Sequence, residues 1–371
     1  MKAVTSTILL GALTLAACSD PAQQTAMLDC PMRDTPFSAE SPLLDVLLNP
    51  DGRAILEAQY PNMHEQLPSF MLSTETPSFA AIMTPRTLAD MLGENAATAE
   101  AVGRELTQLS VSDDDRRLRC QRYDAEMPNL TLPDAPVTLL VFHKINGYDH
   151  GPSVVAASNA VKTLAEQQGW AVAVTDRAGV FTPESLSRFD AVVWNNVSGD
   201  VLTLSQRTAF RNYIEQGGGF VGLHGSGGDS IWFWDWYIDE LLRAQFIGHP
   251  DDPQFQDARV NLEVATDGIW SGLPSNWTMH DEWYSFADSP RPNVSVVASL
   301  DESTYIPELS GRDISMDGDH PIAWNHCVEN GRSFYSAIGH REEVYEDNNY
   351  LRLLGAGLRW AAAEDGNACS D

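Results

Sequence analysis

The chain has 371 residues, 43% of them hydrophobic, and a formal net charge of −29 from 52 acidic against 23 basic side chains. That length allows one large domain with a smaller module, and the apolar fraction supplies a full core. The charge excludes a nucleic-acid partner, because phosphate binding needs Lys and Arg clusters absent here, and it disfavours docking on anionic lipid.

In chain order, Lys2 precedes an apolar run from Ile8 to Ala17. The run is too short to span a bilayer and has the length of a signal-peptide core. It ends in Leu15-Ala16-Ala17-Cys18, which resembles the lipobox of bacterial lipoproteins. The resemblance implies a signal peptide over residues 1–17 and acylation of Cys18; a plain secretory signal cut near Ala17 is the alternative. Ser19 after the cysteine implies sorting to the outer membrane. The expectation is an envelope lipoprotein, facing the periplasm or cell surface, whose membrane partner is reached through an acyl anchor. Residues 18–40 read as a tether.

Export leaves Cys30, Cys120, Cys327 and Cys369, an even number in an oxidising compartment. Three pairings are open. Cys30 with Cys120 and Cys327 with Cys369 are favoured, since each pair closes a separate region.

Residues 41–110 read as a small helical module. Ser41 is a plausible N-cap before Pro42, and TPRTLADML and ENAATAEAVGRELTQL repeat apolar residues at helical spacing. Residues 111–136, with the charge run DDDRR and three prolines, read as a linker. From Val137 the pattern alternates strand and helix. VTLLVFH, AVAVT, FDAVVWNN, GFVGLH, VSVVASL and GRSFYSAIGH are strands; helices are expected near Ser153–Gln168, Ser205–Gln216 and Asn349–Ala363. This predicts an α/β fold with a doubly wound, mainly parallel sheet over residues 137–363, followed by a short tail at 364–371. GGGFVG matches GxGxxG but leads into a strand, the wrong context for a dinucleotide fold.

Ligands of open α/β sheets sit beyond the carboxyl ends of the strands. His143, His224 and His340 fall at or just after strand ends, His150 lies in the loop KINGYDHG, and His249 lies in FIGHP. Asp281, Glu282 and Tyr284 cluster in HDEWYSF. His224 stands in GGGFVGLHGSGG, at the crest where related layouts raise a serine or cysteine. An imidazole there can act as general base, general acid or metal ligand near neutral pH, with Glu282 or Asp281 as partner. Gly225 and its neighbours admit a close ligand, and a helix starting after Asp229 is expected to aim N–H groups at developing charge. A lone histidine at a strand end is more often structural. His143 is the most dispensable, His64 belongs on the surface, and His280, His320 and His326 have no assignable partner.

The blocks VFHKINGYDHG, FDAVVWNNVSGDVLT, GGGFVGLHGSGG, FIGHP, HDEWYSF, HPIAWNH, GRSFYSAIGH and YLRLLGAGLRWA resemble the ThuA-like (trehalose utilisation) family, related in fold to class I glutamine amidotransferases. The resemblance implies a carbohydrate-linked role and places the polar signature on His150, Asp200, His224, His249, Asp281, Glu282, Tyr284, Trp324 and His340. Asp200 and Trp324 rest on the resemblance alone. Asp149 departs from the Arg of many relatives. No cysteine sits on a strand crest, so glutaminase chemistry is not expected. Trp232, Trp234 and Trp236 are candidates to stack on a sugar or simply to pack.

The reading is an envelope enzyme acting on a disaccharide or keto-sugar by His/carboxylate acid–base chemistry; the alternative is a sugar-binding lipoprotein without turnover. A divalent metal such as zinc would find its ligands among His150, His224, His249 and Glu282.

Overall fold

A computed structural model of the chain describes residues 28–266, 268–363 and Cys369. The expected signal peptide at 1–17 and lipidation at Cys18 lie outside the described residues.

The N-terminal part holds six helices: α1 (Leu43–Leu48), α2 (Pro50–Gln59), α3 (Met63–Gln66), α4 (Pro85–Met91), α5 (Ala96–Leu106) and α6 (Asp113–Cys120). They enclose a core of their own, with Phe37, Leu43, Leu56, Leu88, Val102 and Leu106 at its centre. Thr84 with Thr87 and Ser112 with Asp115 form capping boxes, each satisfying N–H groups that helix starts leave free. The segment expected to be a linker contains α6. DDDRRLRC puts three acids in the first turn and two arginines in the last, the order a helix dipole favours. A solvated charge run and a dipole-matched helix look alike without that positional argument.

Residues 28–40, expected as tether, are packed. Asp29 accepts the N–H groups of Leu204 and Ser205, and Cys30 is bonded to Cys120. Buried Asp45 pairs with Arg122 and lies near Arg119, tying α1 to the residues after α6. The second bridge joins Cys327 and Cys369.

The main domain adds β1 (Thr138–Phe142), α7 (Pro152–Gln168), β2 (Ala171–Thr175), α8 (Pro183–Leu186), β3 (Ala191–Asn195), α9 (Leu204–Glu215) and β4 (Gly219–Leu223). Then come β5 (Phe246–Gly248), β6 (Phe255–Leu262), β7 (Asn276–Glu282), β8 (Ser285–Phe286), β9 (Ser295–Asp301), β10 (Glu308–Leu309), β11 (Arg312–Asp313), β12 (His320–Val328), β13 (Gly331–Ser336) and α10 (Asn348–Ala361). Nine strands form one sheet in the order β2-β1-β3-β4-β13-β12-β9-β6-β7. The first five run parallel, and the remaining pairings are antiparallel. The sheet is therefore mixed. β3 and β4, at the middle of the parallel half, are largely apolar runs buried on both faces. β6 and β7 instead alternate buried and exposed residues, an antiparallel pattern with one wet face.

The helix expected after Asp229 does not form there. Residues 228–234 are irregular, and a π-helical turn appears only at Tyr237–Leu242. The carboxylate of Asp229 is already engaged by the Ser198 hydroxyl and the Gly199 N–H, both at 2.6 Å, so it caps nothing downstream.

Candidate functional site

At the carboxyl edge of the parallel strands, β4 ends at Leu223 and the chain turns sharply at His224, whose φ is +38°. That conformation is costly for a residue with a side chain, by about 1–3 kcal/mol, and persists only where the surroundings hold it. Here the Tyr335 hydroxyl donates to the His224 carbonyl at 2.9 Å, and His224 Nδ1 donates to the Ala337 carbonyl at 2.7 Å. Since a carbonyl only accepts, Nδ1 carries the proton. In the neutral ring, Nε2 then presents a lone pair.

His224 Nε2 is buried and has no hydrogen-bond partner among the described residues; its nearest acid is Glu282, at 3.5 Å. Glu282 closes β7 and is itself buried. His340, in the loop after β13, places Nδ1 3.0 Å from Glu282, and His249 places Nε2 3.3 Å from the other carboxylate oxygen. The Gln254 amide also donates to Glu282. One carboxylate thus stands against three imidazoles.

His150 completes the group, its ring 4.8 Å from that of His224 and 5.0 Å from that of His340. It lies over Gly225: a Cβ there would come within 2.6 Å of His150 Cε1. The Tyr284 ring stacks on His224 at 4.2 Å. His150, His249, His340, Glu282, Gln254 and Tyr284 line a cavity of about 220 Å³ together with Tyr148, Asp229, Ser230, Phe246, and Phe79 and Ile82 of the helical module, while His224 is fully buried beside it.

The environment separates the protonation states. His150 is held well below the ordinary histidine value by burial and by the neighbouring imidazoles, so it is neutral. Burial also acts to lower His340, but the hydrogen bond and charge of Glu282 outweigh it and raise the ring's pKa. For Glu282 burial acts upward, yet its imidazole neighbours hold it well below the carboxylate range. Asp229 is pushed up to about 7 by burial. Burial drives Tyr284 well above its usual value, so its hydroxyl keeps its proton.

Asp281 faces away from this group. Its two oxygens accept the Gly339 and Arg341 N–H groups at 2.6 and 3.0 Å, so it positions the turn that carries His340. Asp200 is bound to Arg207 and to the Tyr123 hydroxyl, outside the cavity. Trp324 is core, donating to the Leu242 carbonyl, and Trp232 packs on Tyr237. Neither lines the cavity. In the glycine turn, the Gly225 N–H goes to Asn196 and the Gly228 N–H to the Gly225 carbonyl.

His320 donates Nε2–H to the Tyr284 carbonyl at 2.8 Å and sets Nδ1 2.9 Å from Glu302, fixing the chain at Tyr284. His280 pairs with Asp257 on the surface, and His326 is buried against the Glu240 carbonyl. Ligand nitrogens of His150, His224 and His340 lie within 4.8 Å of one another. A metal would use this trio, with His340 in place of the expected His249. Gln254, Tyr148, Phe79 and Ile82 are lining residues that sequence reasoning missed. None sits at a strand end, and two belong to the helical module.

The fold and the site define an α/β sheet domain whose β4 crest carries an imidazole. The pattern of the ThuA family, described as trehalose utilisation, matches residues 138–361, and the chain belongs to that family. Membership implies a role in carbohydrate utilisation. The chain is similar to a ThuA-like protein of Bacteroides uniformis, with 26% identity and a TM-score of 0.54 over 64% of this chain and 95% of that one. A ThuA-like protein of Parabacteroides merdae is 18% identical, with a TM-score of 0.49, over 64% of this chain and 92% of that one. No curated protein matches the sequence.

Proposed function

We propose that the protein is an enzyme acting on a disaccharide or keto-sugar at the cell envelope, where the acyl group on Cys18 would anchor it. The observation that carries this is the buried Glu282 shared by His340, His249 and His224 at one cavity wall. Such a set separates a base from an acid. His224, with Nδ1–H fixed on Ala337, takes a proton at Nε2 from the carbon beside a sugar carbonyl. The carbonyl oxygen gathers the resulting charge and receives a hydrogen bond or proton from Tyr284 or from His340, kept protonated by Glu282. Return of the proton to a neighbouring carbon gives isomerisation; loss of a substituent beside it gives elimination.

A metal-assisted form is favoured by one observation, the three converging imidazoles, with buried and unpartnered nitrogens on His150 and His224. A divalent ion such as zinc held there would polarise the same carbonyl oxygen.

The test is incubation of the purified protein with trehalose, cellobiose and their 3-keto forms, with and without chelator, alongside elemental analysis. Product formation that disappears in His224→Ala is expected. Saturable binding with every sugar recovered unchanged would establish the non-catalytic sugar-binding alternative instead.

A further inference from the structure

The cavity holds about 220 Å³, a volume on the scale of one sugar ring. Of its lining residues, Glu282 and His150 are buried, whereas Tyr148 of the main domain and Phe79 of the helical module are half-buried, so a disaccharide presenting one ring to the acid–base groups brings its other ring against these aromatics. Tyr148 of the main domain meets Phe79 with ring centres 5.6 Å apart, and Phe79 meets Phe70 at 5.8 Å. The planes are nearly perpendicular at each step, 76° and 70°, so the row presents alternating edges and faces. At its outer end Phe70 is 51% exposed. At its inner end Tyr148 lies 4.8 Å from the His150 ring. An exposed aromatic row leading into a polar pocket is the surface on which the C–H face of a pyranose ring stacks.

The row is held in place. Ser78 N–H donates to the Asn146 carbonyl at 3.0 Å, and Ile82 packs so closely on Gly147 that a Cβ there would come within 2.6 Å of it. Both contacts are to the loop that carries His150. The module is thus one wall of the site, fixed to the acid–base residues.

We propose that Phe79 and Phe70 form a second sugar subsite, which binds the outer ring of a disaccharide whose inner ring enters the imidazole pocket. This rests on the carbohydrate reading above and adds the substrate's size and the residues that select it. Stacking of this kind contributes a modest, directional increment, so the effect on affinity is selective and not all-or-none.

The experiment is calorimetric titration of wild type, Phe70→Ala, Phe79→Ala and Phe79→Tyr with methyl glucoside, trehalose, cellobiose and the 3-keto disaccharides. Phe79→Ala is expected to weaken disaccharide binding roughly 2- to 10-fold, more than it weakens binding of the monosaccharide. Phe70→Ala, on an exposed ring with no core role, is expected to show the same selectivity to a smaller extent. Phe79→Tyr, which keeps the ring, should retain wild-type affinity. Equal weakening for one-ring and two-ring sugars, or none for either, would overturn the subsite while leaving the carbohydrate reading intact. A wild-type protein that binds none of these sugars overturns both.

Discussion

Glu282→Gln keeps the size of the side chain and one acceptor oxygen while removing the charge that His340, His249 and His224 face. The 3.0 Å contact to His340 is a charge-assisted hydrogen bond. Such bonds contribute about 1.5–3 kcal/mol, and a pKa unit corresponds to about 1.4 kcal/mol. Losing the charge should therefore lower the His340 pKa, leaving burial as the dominant influence on the ring. The assay is an NMR titration of the His340 ring protons in wild type and variant.

The stability consequence has a definite sign. His340 is raised above its ordinary 6.5, so its contribution is present below that value and is lost as pH rises through the folded value. Glu282 is depressed below its ordinary 4.5, so its contribution is present above that value and is lost as pH falls through the folded value. The difference in melting temperature between wild type and Glu282→Gln should be largest between those limits and shrink on either side. A His340 titration unchanged by the substitution, or shifted upward, refutes the assignment of Glu282 as the group that holds its proton.

His224→Ala should cut turnover by about 10²–10⁴-fold, read as kcat on whichever sugar is converted, with circular dichroism unchanged. Gly225→Ala drives a methyl to 2.6 Å from His150 Cε1 and 3.1 Å from Asn196 Oδ1, so urea unfolding should show a loss of about 1–3 kcal/mol. An unaltered midpoint would mean that His150 can move aside freely. The bond between Cys30 and Cys120 closes a loop 90 residues long, and replacing both cysteines by serine should cost about 2–4 kcal/mol in thermal or urea unfolding.

β1, β3 and β4 were legible because they are buried on both faces and read as nearly unbroken apolar runs, as in Ala191–Asn195. In the antiparallel half, β9 was legible from VSVVASL, but β6, β7 and β12 were not. Phe255–Leu262 alternates Gln, Asp and Arg with apolar residues, and His320–Val328 begins with His-Pro, which reads as loop. Histidines 150, 224, 249 and 340 were visible from their place at strand ends and loops, and they do meet around Glu282. The division of labour between adjacent acids was not. Asp281 and Glu282 are neighbours on a strand, so their side chains point to opposite faces, and only three-dimensional context says which face holds the imidazoles. Asp200 and Trp324 share the family signature yet serve packing and ion pairing, roles that a motif does not distinguish from ligand binding.

The cavity wall formed by Phe79 and Ile82 belongs to a set of helices with a hydrophobic core separate from that of the sheet. Two cores can open independently, each with its own free energy. A ligand that touches both adds its binding energy only when both are closed, which makes the two folding equilibria one. Amides in residues 70–82 should then exchange with solvent more slowly when the pocket is filled, although most of them touch nothing that reacts.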